Sequence, residues 1–386
     1  RPLLLQSKNF NIYKYIYLTT CILTIVGFIS TIVMYMSGKA IQNASNNLLM
    51  GFVFIIMLPK IFFGGALLIE NIIRIFISLI QYGINGFHQF SIPGRLKLLS
   101  QILFGLSVII FLIMTHGILF NKYNYKVKRL TLHFPHLPKS FEGYKIIHIS
   151  DVHSGSFDNP EKVKEGIELI NKQKPDWVLF TGDLVNMTAD EFIPYIPIFK
   201  EIQAKDGKFS VLGNHDYGDY VRFDTPKDKI NNLQSLFNYE QNAGFNLLRN
   251  SHSIILKGKD TIYIAGVENW GHAPFPKRGN LKKAIEGIPE GAFVVLMSHD
   301  PSHWDSEVSK QSKNIALTLS GHTHGMQFGI DFMGIRWSPV QWKYPLWSGL
   351  FRRNDMKLYV NVGFGFIGMP GRIGILPEIT VITLKK

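Results

Sequence analysis

Gly321-His322-Thr323-His324-Gly325 follows the apolar run Ile315 to Leu319 and sets two imidazoles one residue apart between two glycines. In an extended segment, residues i and i+2 point to one face, roughly 6–7 Å apart. That spacing is long for two ligands of one metal and suits two neighbouring ions about 3.5–4 Å apart. The glycines permit a tight turn and a close approach of backbone or substrate. Alone, the pentapeptide carries moderate weight. Four upstream clusters raise it. Lys145 to Ile149 reads as a short strand and is followed by Ser150-Asp151-Val152-His153. Trp177 to Phe180 ends in Thr181-Gly182-Asp183, Phe209 to Leu212 in Gly213-Asn214-His215-Asp216, and Phe293 to Met297 in Ser298-His299-Asp300. Any one cluster is as readily a turn or a helix cap. Five strands that each stop at a polar set place mixed Asp, His and Asn chemistry at strand carboxyl ends, where α/β folds build their sites.

The order Asp-x-His, Gly-Asp, Gly-Asn-His-Asp, His and Gly-His-x-His resembles the motif set of the calcineurin-like metallophosphoesterases. The resemblance covers about residues 141–386 and includes the ending Pro377-Glu378-Ile379-Thr380. With its apolar N-terminal region, the chain is similar to the membrane-anchored bacterial branch that includes UDP-2,3-diacylglucosamine pyrophosphatase-type phosphoesterases. The resemblance implies an α/β domain, a four-layer α-β-β-α sandwich, preceded by a transmembrane helical region. It also implies two divalent metal ions. Asp151, His153 and His324 would bind the first, Asn214, His299 and His322 the second, and Asp183 would bridge them. His215 would be catalytic, donating to the phosphate or protonating the leaving oxygen. Imidazole and carboxylate ligands suit Mn, Fe or Zn better than Ca. Two positions depart from the branch: Met326, where a second glycine is usual, and Glu268-Asn269, where an Asp pair is common.

Composition divides the 386 residues unevenly. Residues 1–120 contain eight Lys or Arg and one acid, Glu70; the rest contains 33 basic and 27 acidic residues. The chain opens on Arg1 rather than Met, as a fragment or a processed product would. The first part reads as a transmembrane region with spans at about 15–36, 48–80 and 98–120, each long enough for about 30 Å of hydrocarbon. A signal peptide is too short to account for three such runs. Lys60 must snorkel or face a partner, since a charge within the membrane is costly. Glu70 and Arg74, four apart, could pair on one helix face. No chain of ionisable residues crosses the spans, which argues against a channel.

Loop charges count six on one side (Arg1, Lys8, Lys14, Arg74, Arg95, Lys97) and five on the other (Lys39, Lys122, Lys126, Lys128, Arg129). This favours a cytoplasmic N-terminus and an extracytoplasmic catalytic domain by one residue. Residues 121–140 read as a juxtamembrane linker whose basic cluster suits anionic headgroups, and residues 141–386 as the catalytic domain. The net charge of +13 does not point to nucleic acid, because much of it flanks the spans and no basic stripe alternates with aromatics. The lone Cys21 lies within a span.

The expected function is a membrane-anchored, dinuclear metal-dependent phosphoesterase. It would hydrolyse a phosphoester or pyrophosphate bond, in a lipid-linked substrate, by metal-activated hydroxide. The expected location is the bacterial cytoplasmic membrane, in contact with membrane lipids. One alternative is a broad-specificity phosphodiesterase or phosphatase on soluble substrates. Another, disfavoured by the full ligand set, is a non-catalytic scaffold. No residue is assigned to substrate binding. Arg336, Arg352, Arg353 and Arg372 are candidates for a second phosphate, with solvent exposure the plainer reading. Aromatic residues such as Phe328, Phe332, Trp337, Trp342 and Trp347 could line an acyl groove, pack in the core, or anchor at a membrane surface. For Asp216, orienting His215 and capping a helix are equal readings, while His148 reads as packing or capping its strand and His303 as an ordinary loop or helix residue.

Overall fold

A computed structural model describes residues 10–36, 44–88, 90–271, 275–311 and 315–386. Arg1, Lys8 and Lys39 of the charge count lie outside the described residues. Three helices come first: α1 (Phe10–Met36), α2 (Ala44–Ile84) and α3 (Lys97–Leu119). Within them Lys14–Val33, Leu49–Ile84 and Lys97–Leu119 are long and apolar enough to cross a membrane. Their large apolar side chains, such as Ile61, Phe76 and Leu98, face outward. This is the reverse of a soluble helix and the arrangement a lipid solvent requires.

Lys60, Glu70 and Arg74 each find a partner. Lys60 faces a partner: its Nζ donates to Thr20 Oγ1 at 2.7 Å and lies 5.0 Å from the Tyr17 ring centroid. The expected Glu70–Arg74 pair is replaced by contacts to the connection between α2 and α3. Glu70 accepts from the Leu96 amide at 3.0 Å and faces Arg95 at 3.7 Å. Arg74 Nε donates to the Pro93 carbonyl at 2.8 Å. A returning backbone offers unpaired polar groups, and in hydrocarbon these outweigh a neighbouring side chain as partners.

Two six-stranded sheets follow. The first contains β1 (Lys126–His133), β2 (Lys145–Ile149), β3 (Trp177–Phe180), β4 (Lys208–Ser210), β5 (Asn246–Leu247) and β14 (Glu378–Lys385), in the order β1-β14-β2-β3-β4-β5. The second contains β6 (Ser251–Lys257), β7 (Asp260–Gly266), β8 (Phe293–Met297), β9 (Ile315–Ser320), β12 (Gly349–Arg353) and β13 (Met356–Val360), in the order β12-β13-β9-β8-β7-β6. Between β9 and β12, β10 (Ile330–Phe332) and β11 (Ile335–Trp337) pair with each other. Alternation sorts each central strand between two cores. On β3, Trp177 and Leu179 join Val295, Met297 and Leu319 between the sheets. Val178 and Phe180 turn instead toward a core with Val163 and Ile167 of α4 (Pro160–Lys172). On β8, Val294 and Leu296 pack with Leu281 and Trp304 on the opposite outer face. The result is helix, sheet, sheet, helix, with central strands buried on both sides, hence their unbroken apolar sequences.

The segment expected as a linker is built into the domain. All eight residues of β1 pair in parallel with β14. The basic cluster is met by the protein rather than left for headgroups: Lys128 Nζ lies 2.8 Å from buried Glu378 and 3.0 Å from Asp331. Lys122 pairs with Asp158, and Arg129 with Gln173. Beyond β2, β3, β4, β8 and β9 the chain turns into the loops that carry the polar clusters.

Candidate metal centre

The strand-end loops are tied to one another before any side chain is considered. Asp151 N donates to Gly182 O at 2.9 Å, His153 N to Asp183 O at 3.1 Å, and Gly321 N to His299 O at 2.9 Å. Two glycines mark close approaches. A Cβ at Gly213 would lie 2.1 Å from Asp183 Oδ1, and one at Gly321 would lie 2.2 Å from Asp151 Oδ2. Five non-glycine site residues adopt left-handed backbone: Asp151 (φ 53°), His153 (48°), Asp183 (60°), His322 (73°) and His324 (51°). Such residues are strained and persist where surrounding structure over-determines them. The Gly-His-Thr-His-Gly stretch is therefore a coiled turn, not the extended segment expected, and its two imidazoles point to different groups.

Asp151, His153 and His324 form one group, and Asp183, His299 and His322 a second. In the first, His153 Nε2 lies 3.0 Å from His324 Nε2, which is 3.1 Å from Asp151 Oδ1. In the second, His299 Nε2 lies 3.1 Å from Asp183 Oδ2 and 3.2 Å from His322 Nδ1. Asp183 Oδ2 is also 3.6 Å from His153 Nε2, so one carboxylate oxygen faces both groups. Asn214 lies beside them; its Nδ2 donates to the Tyr220 hydroxyl at 2.8 Å, while its Oδ1 is buried without a partner. His215 donates its backbone N–H to Asp183 Oδ1 at 2.8 Å. Its Nδ1 lies 2.7 Å from Asn186 O, and its ring centroid 5.0 Å from that of His153.

The donor set fits divalent cations. Thr181 O, 2.7 Å from His299 Nδ1, fixes the proton there and leaves Nε2 as a lone pair in the neutral ring. Tyr344 OH, 2.8 Å from His322 Nε2, leaves Nδ1 free to face the group. Lone pairs about 3 Å apart repel unless a cation lies among them, and that separation is the edge between neighbouring ligands at metal–nitrogen distances of about 2.0–2.1 Å. Where no cation lies among these groups, a proton takes its place on His299. Burial lowers the His299 pKa, but the Asp183 carboxylate beside it outweighs burial and pushes it up to about 10. Burial opposes charge on Asp151 and Asp183, yet the imidazoles of His324 and His299 hold both carboxyls below their usual range. Burial keeps His153 and His322 neutral, their pKa values pushed down, so the two carboxylates draw positive charge that these imidazoles do not supply.

A calcineurin-like phosphoesterase family model matches residues 144–326, and a model of the transmembrane domain of calcineurin-like phosphoesterases matches residues 3–122. A metallophosphoesterase of Bacillus subtilis, YkuE, is 30% identical over 254 residues, 65% of this chain and 82% of that protein. The chain belongs to the calcineurin-like phosphoesterases. It is similar as well to a zebrafish (Danio rerio) transmembrane protein with a metallophosphoesterase domain, 28% identical over 258 residues. That match covers 65% of this chain and 55% of the zebrafish protein's length. This phosphoesterase is thus a metal-dependent phosphoric ester hydrolase with a membrane region, the combination its sequence motifs and apolar spans imply.

Other expectations for the phosphoesterase resolve differently. Asp216 neither orients His215 nor caps a helix. Its carboxylate accepts from the amides of Asp183 and Gly213 at 2.8 Å and Leu184 at 2.7 Å, holding the loops themselves. Burial and the nearby Asp183 charge push its pKa up to about 7. Arg372 is fully buried, donates from Nε to Gly365 O at 2.9 Å, and lies 3.4 Å from His324 Nδ1. It braces a loop behind the site and does not reach solvent. Arg353 pairs with Asp305, and Arg336 with Asp331. His148 meets Thr181 Oγ1 at 2.9 Å, and His303 stacks on Trp270; both are buried packing residues. Met326, in the glycine position, takes φ 55°, where a glycine would be unstrained. Tyr344 and Tyr220 contact His322 and Asn214, and nothing local to either tyrosine in the sequence signals it.

Proposed function

We propose that the chain is a membrane-anchored, dinuclear metal-dependent phosphoesterase of the bacterial cytoplasmic membrane, cleaving a phosphoester or pyrophosphate bond in a lipid-linked substrate. The observation that carries this reading is Asp183 Oδ2, which faces His299 Nε2 at 3.1 Å and His153 Nε2 at 3.6 Å. A carboxylate placed between two imidazole groups can serve two ions together. Asp151, His153 and His324 would hold one ion; Asn214, His299 and His322 the other, with the orphaned Asn214 Oδ1 as its amide ligand. Bound Mn, Fe or Zn would neutralise phosphoryl charge and make water acidic enough to attack at neutral pH.

The residues themselves supply position and a proton. Asn186 O holds the His215 Nδ1 proton and leaves Nε2 as the exchangeable nitrogen. As an imidazolium, His215 donates from Nε2 to a phosphoryl or leaving oxygen. Burial lowers its pKa, so the donor is acidic once charged. Asp216 keeps the Asp183 loop rigid by accepting from its amides. The lipid-linked substrate is supported by the helices that join the domain to the membrane with no flexible linker.

Elemental analysis of the folded full-length protein after incubation with Mn should find about two ions per chain. No bound metal defeats the reading. Incubation with a total lipid extract in bilayer discs, followed by mass spectrometry, should reveal a dephosphorylated lipid. Turnover of a soluble diester with no change in the lipids would favour the soluble-substrate alternative.

A further inference from the structure

The hairpin of β10 and β11 lies apart from both large sheets and separates the metal-site turn from Tyr344. Its two faces differ completely. The cross-strand pair Asp331–Arg336 makes one face, with Asp331 held by Lys128 at 3.0 Å. The pairs Ile330–Trp337 and Phe332–Ile335 make the other. That apolar face and the tip stand open: Phe332 is 69% exposed, Ile335 63% and Met333 85%. Trp342, just beyond, is 77% exposed. A two-stranded hairpin has marginal stability in water, and an apolar cluster aimed away from the protein marks a surface that is covered by something else.

Its attachment identifies the cover. The stem is fixed at Gly329, whose N–H donates to Ile373 O at 2.9 Å, and by the Phe328–Ile373 bridge. Ile373 is buried against Met114 and Ile118 in the final turns of α3. Arg372 N donates to Gly117 O at 3.1 Å. The base of the hairpin is therefore level with the domain-side end of a membrane span. An exposed apolar face rooted at that level is within reach of the lipid that surrounds α2 and α3. The exposed tryptophans are of the type that settles at headgroup depth.

We infer that the β10–β11 hairpin is a second membrane contact, immersed with its apolar face in the leaflet at the domain-side end of α3. The lipid bilayer is its occupant. This goes beyond the proposed function and does not depend on which ester is cleaved. Because the segment from His324 to Tyr344 carries the hairpin, immersion sets one wall of the metal centre at the bilayer surface.

The test uses the full-length protein in phosphatidylcholine discs with brominated acyl chains, which quench indole on contact. Trp177, Trp270, Trp304 and Trp347 are at most 9% exposed, whereas Trp337 and Trp342 are open. The wild type should lose emission in brominated discs, and Trp337→Phe/Trp342→Phe should remove that loss. A nitroxide on Met333→Cys, in a Cys21→Ser background, should relax more with oxygen than with a water-soluble nickel chelate. Equal quenching of wild type and double variant overturns the inference, as does a nitroxide more accessible to nickel. A nitroxide shielded from both reagents, with spin–spin coupling between chains, overturns it in favour of a second copy as the cover.

Discussion

Charge withdrawn from water is handled in opposite ways in the two halves of this molecule. Along the helices, Lys60, Glu70 and Arg74 are separated, and each is met by hydroxyl, amide or carbonyl groups of a neighbouring segment. In the domain, Asp151, Asp183 and their histidines converge, and the turns that aim them are strained. A polar group removed from water must be satisfied or it destabilises the fold. Local satisfaction yields structure alone. Convergence leaves a set that the protein cannot satisfy by itself, and such a set takes a ligand. The contrast predicts that disturbing a converged charge abolishes function, whereas disturbing a separately satisfied one costs stability.

Asp183→Asn should show the largest effect. It removes the charge shared by both groups, so bound metal should fall at both sites. Turnover of a soluble phosphodiester should drop by more than the roughly 10²–10⁴-fold expected for losing one proton donor. Full metal content in this variant would break the comparison. His215→Ala comes next: turnover should fall by roughly 10²–10⁴-fold with metal retained. His148→Ala and His303→Ala should change turnover far less, since each contacts a core partner rather than the centre. Equal losses at all three histidines would show that proximity to the sheet, not position at the centre, governs the effect.

Arg74→Met probes the other side of the contrast. It strands the half-buried Pro93 carbonyl, and an acceptor left unmet costs at most about 1–3 kcal/mol. The thermal midpoint in lipid discs should fall while turnover per folded molecule stays at the wild-type value. A metal-dependent loss of turnover here would mean that the helix connection and the centre are coupled.

What was legible follows the same division. The polar clusters could be read because each sits at the end of a contiguous apolar strand, so motif and placement occur within about ten residues. The helices could be read from hydropathy alone. What escaped notice had distant partners. Lys128 suits headgroups by its local sequence, but Glu378 and Asp331, more than two hundred positions later, lie against it. That pairing turns an apparent linker into strand β1. Arg372 looks like a surface cation, but its loop folds under His324. Asp216, beside His215 in sequence, bonds across to the Asp183 loop instead. In the hairpin, the alternation of Ile330, Phe332, Ile335 and Trp337 is visible in sequence, but the direction of its apolar face is not.

Glu240 has the smallest effect on function and gives the finest test, because this buried acid follows neither pattern. It lies on α6 (Pro226–Asn242), a helix that follows the short α5 (Ile196–Lys200). One oxygen contacts the Ser210 hydroxyl and the other has no partner. Without a cation or a convergent group, it avoids charge by keeping its proton. Burial, aided by the Asp216 charge, pushes its pKa up to about 8. An unfolded glutamate titrates near 4.3. Between these values the folded state holds a proton that the unfolded state has released, so stability must fall as pH rises through that window. Glu240→Gln keeps the hydrogen bond to Ser210 and removes the titration. The wild type should come level with the variant only below about pH 4 and fall steadily behind it toward pH 8, read as the difference between their thermal midpoints. Groups that do not act on Glu240 titrate in both proteins and cancel in that difference, while repulsion from Asp216 adds to the same fall. A constant difference across the range would mean that Glu240 is charged and met by a partner, as the membrane-region charges are.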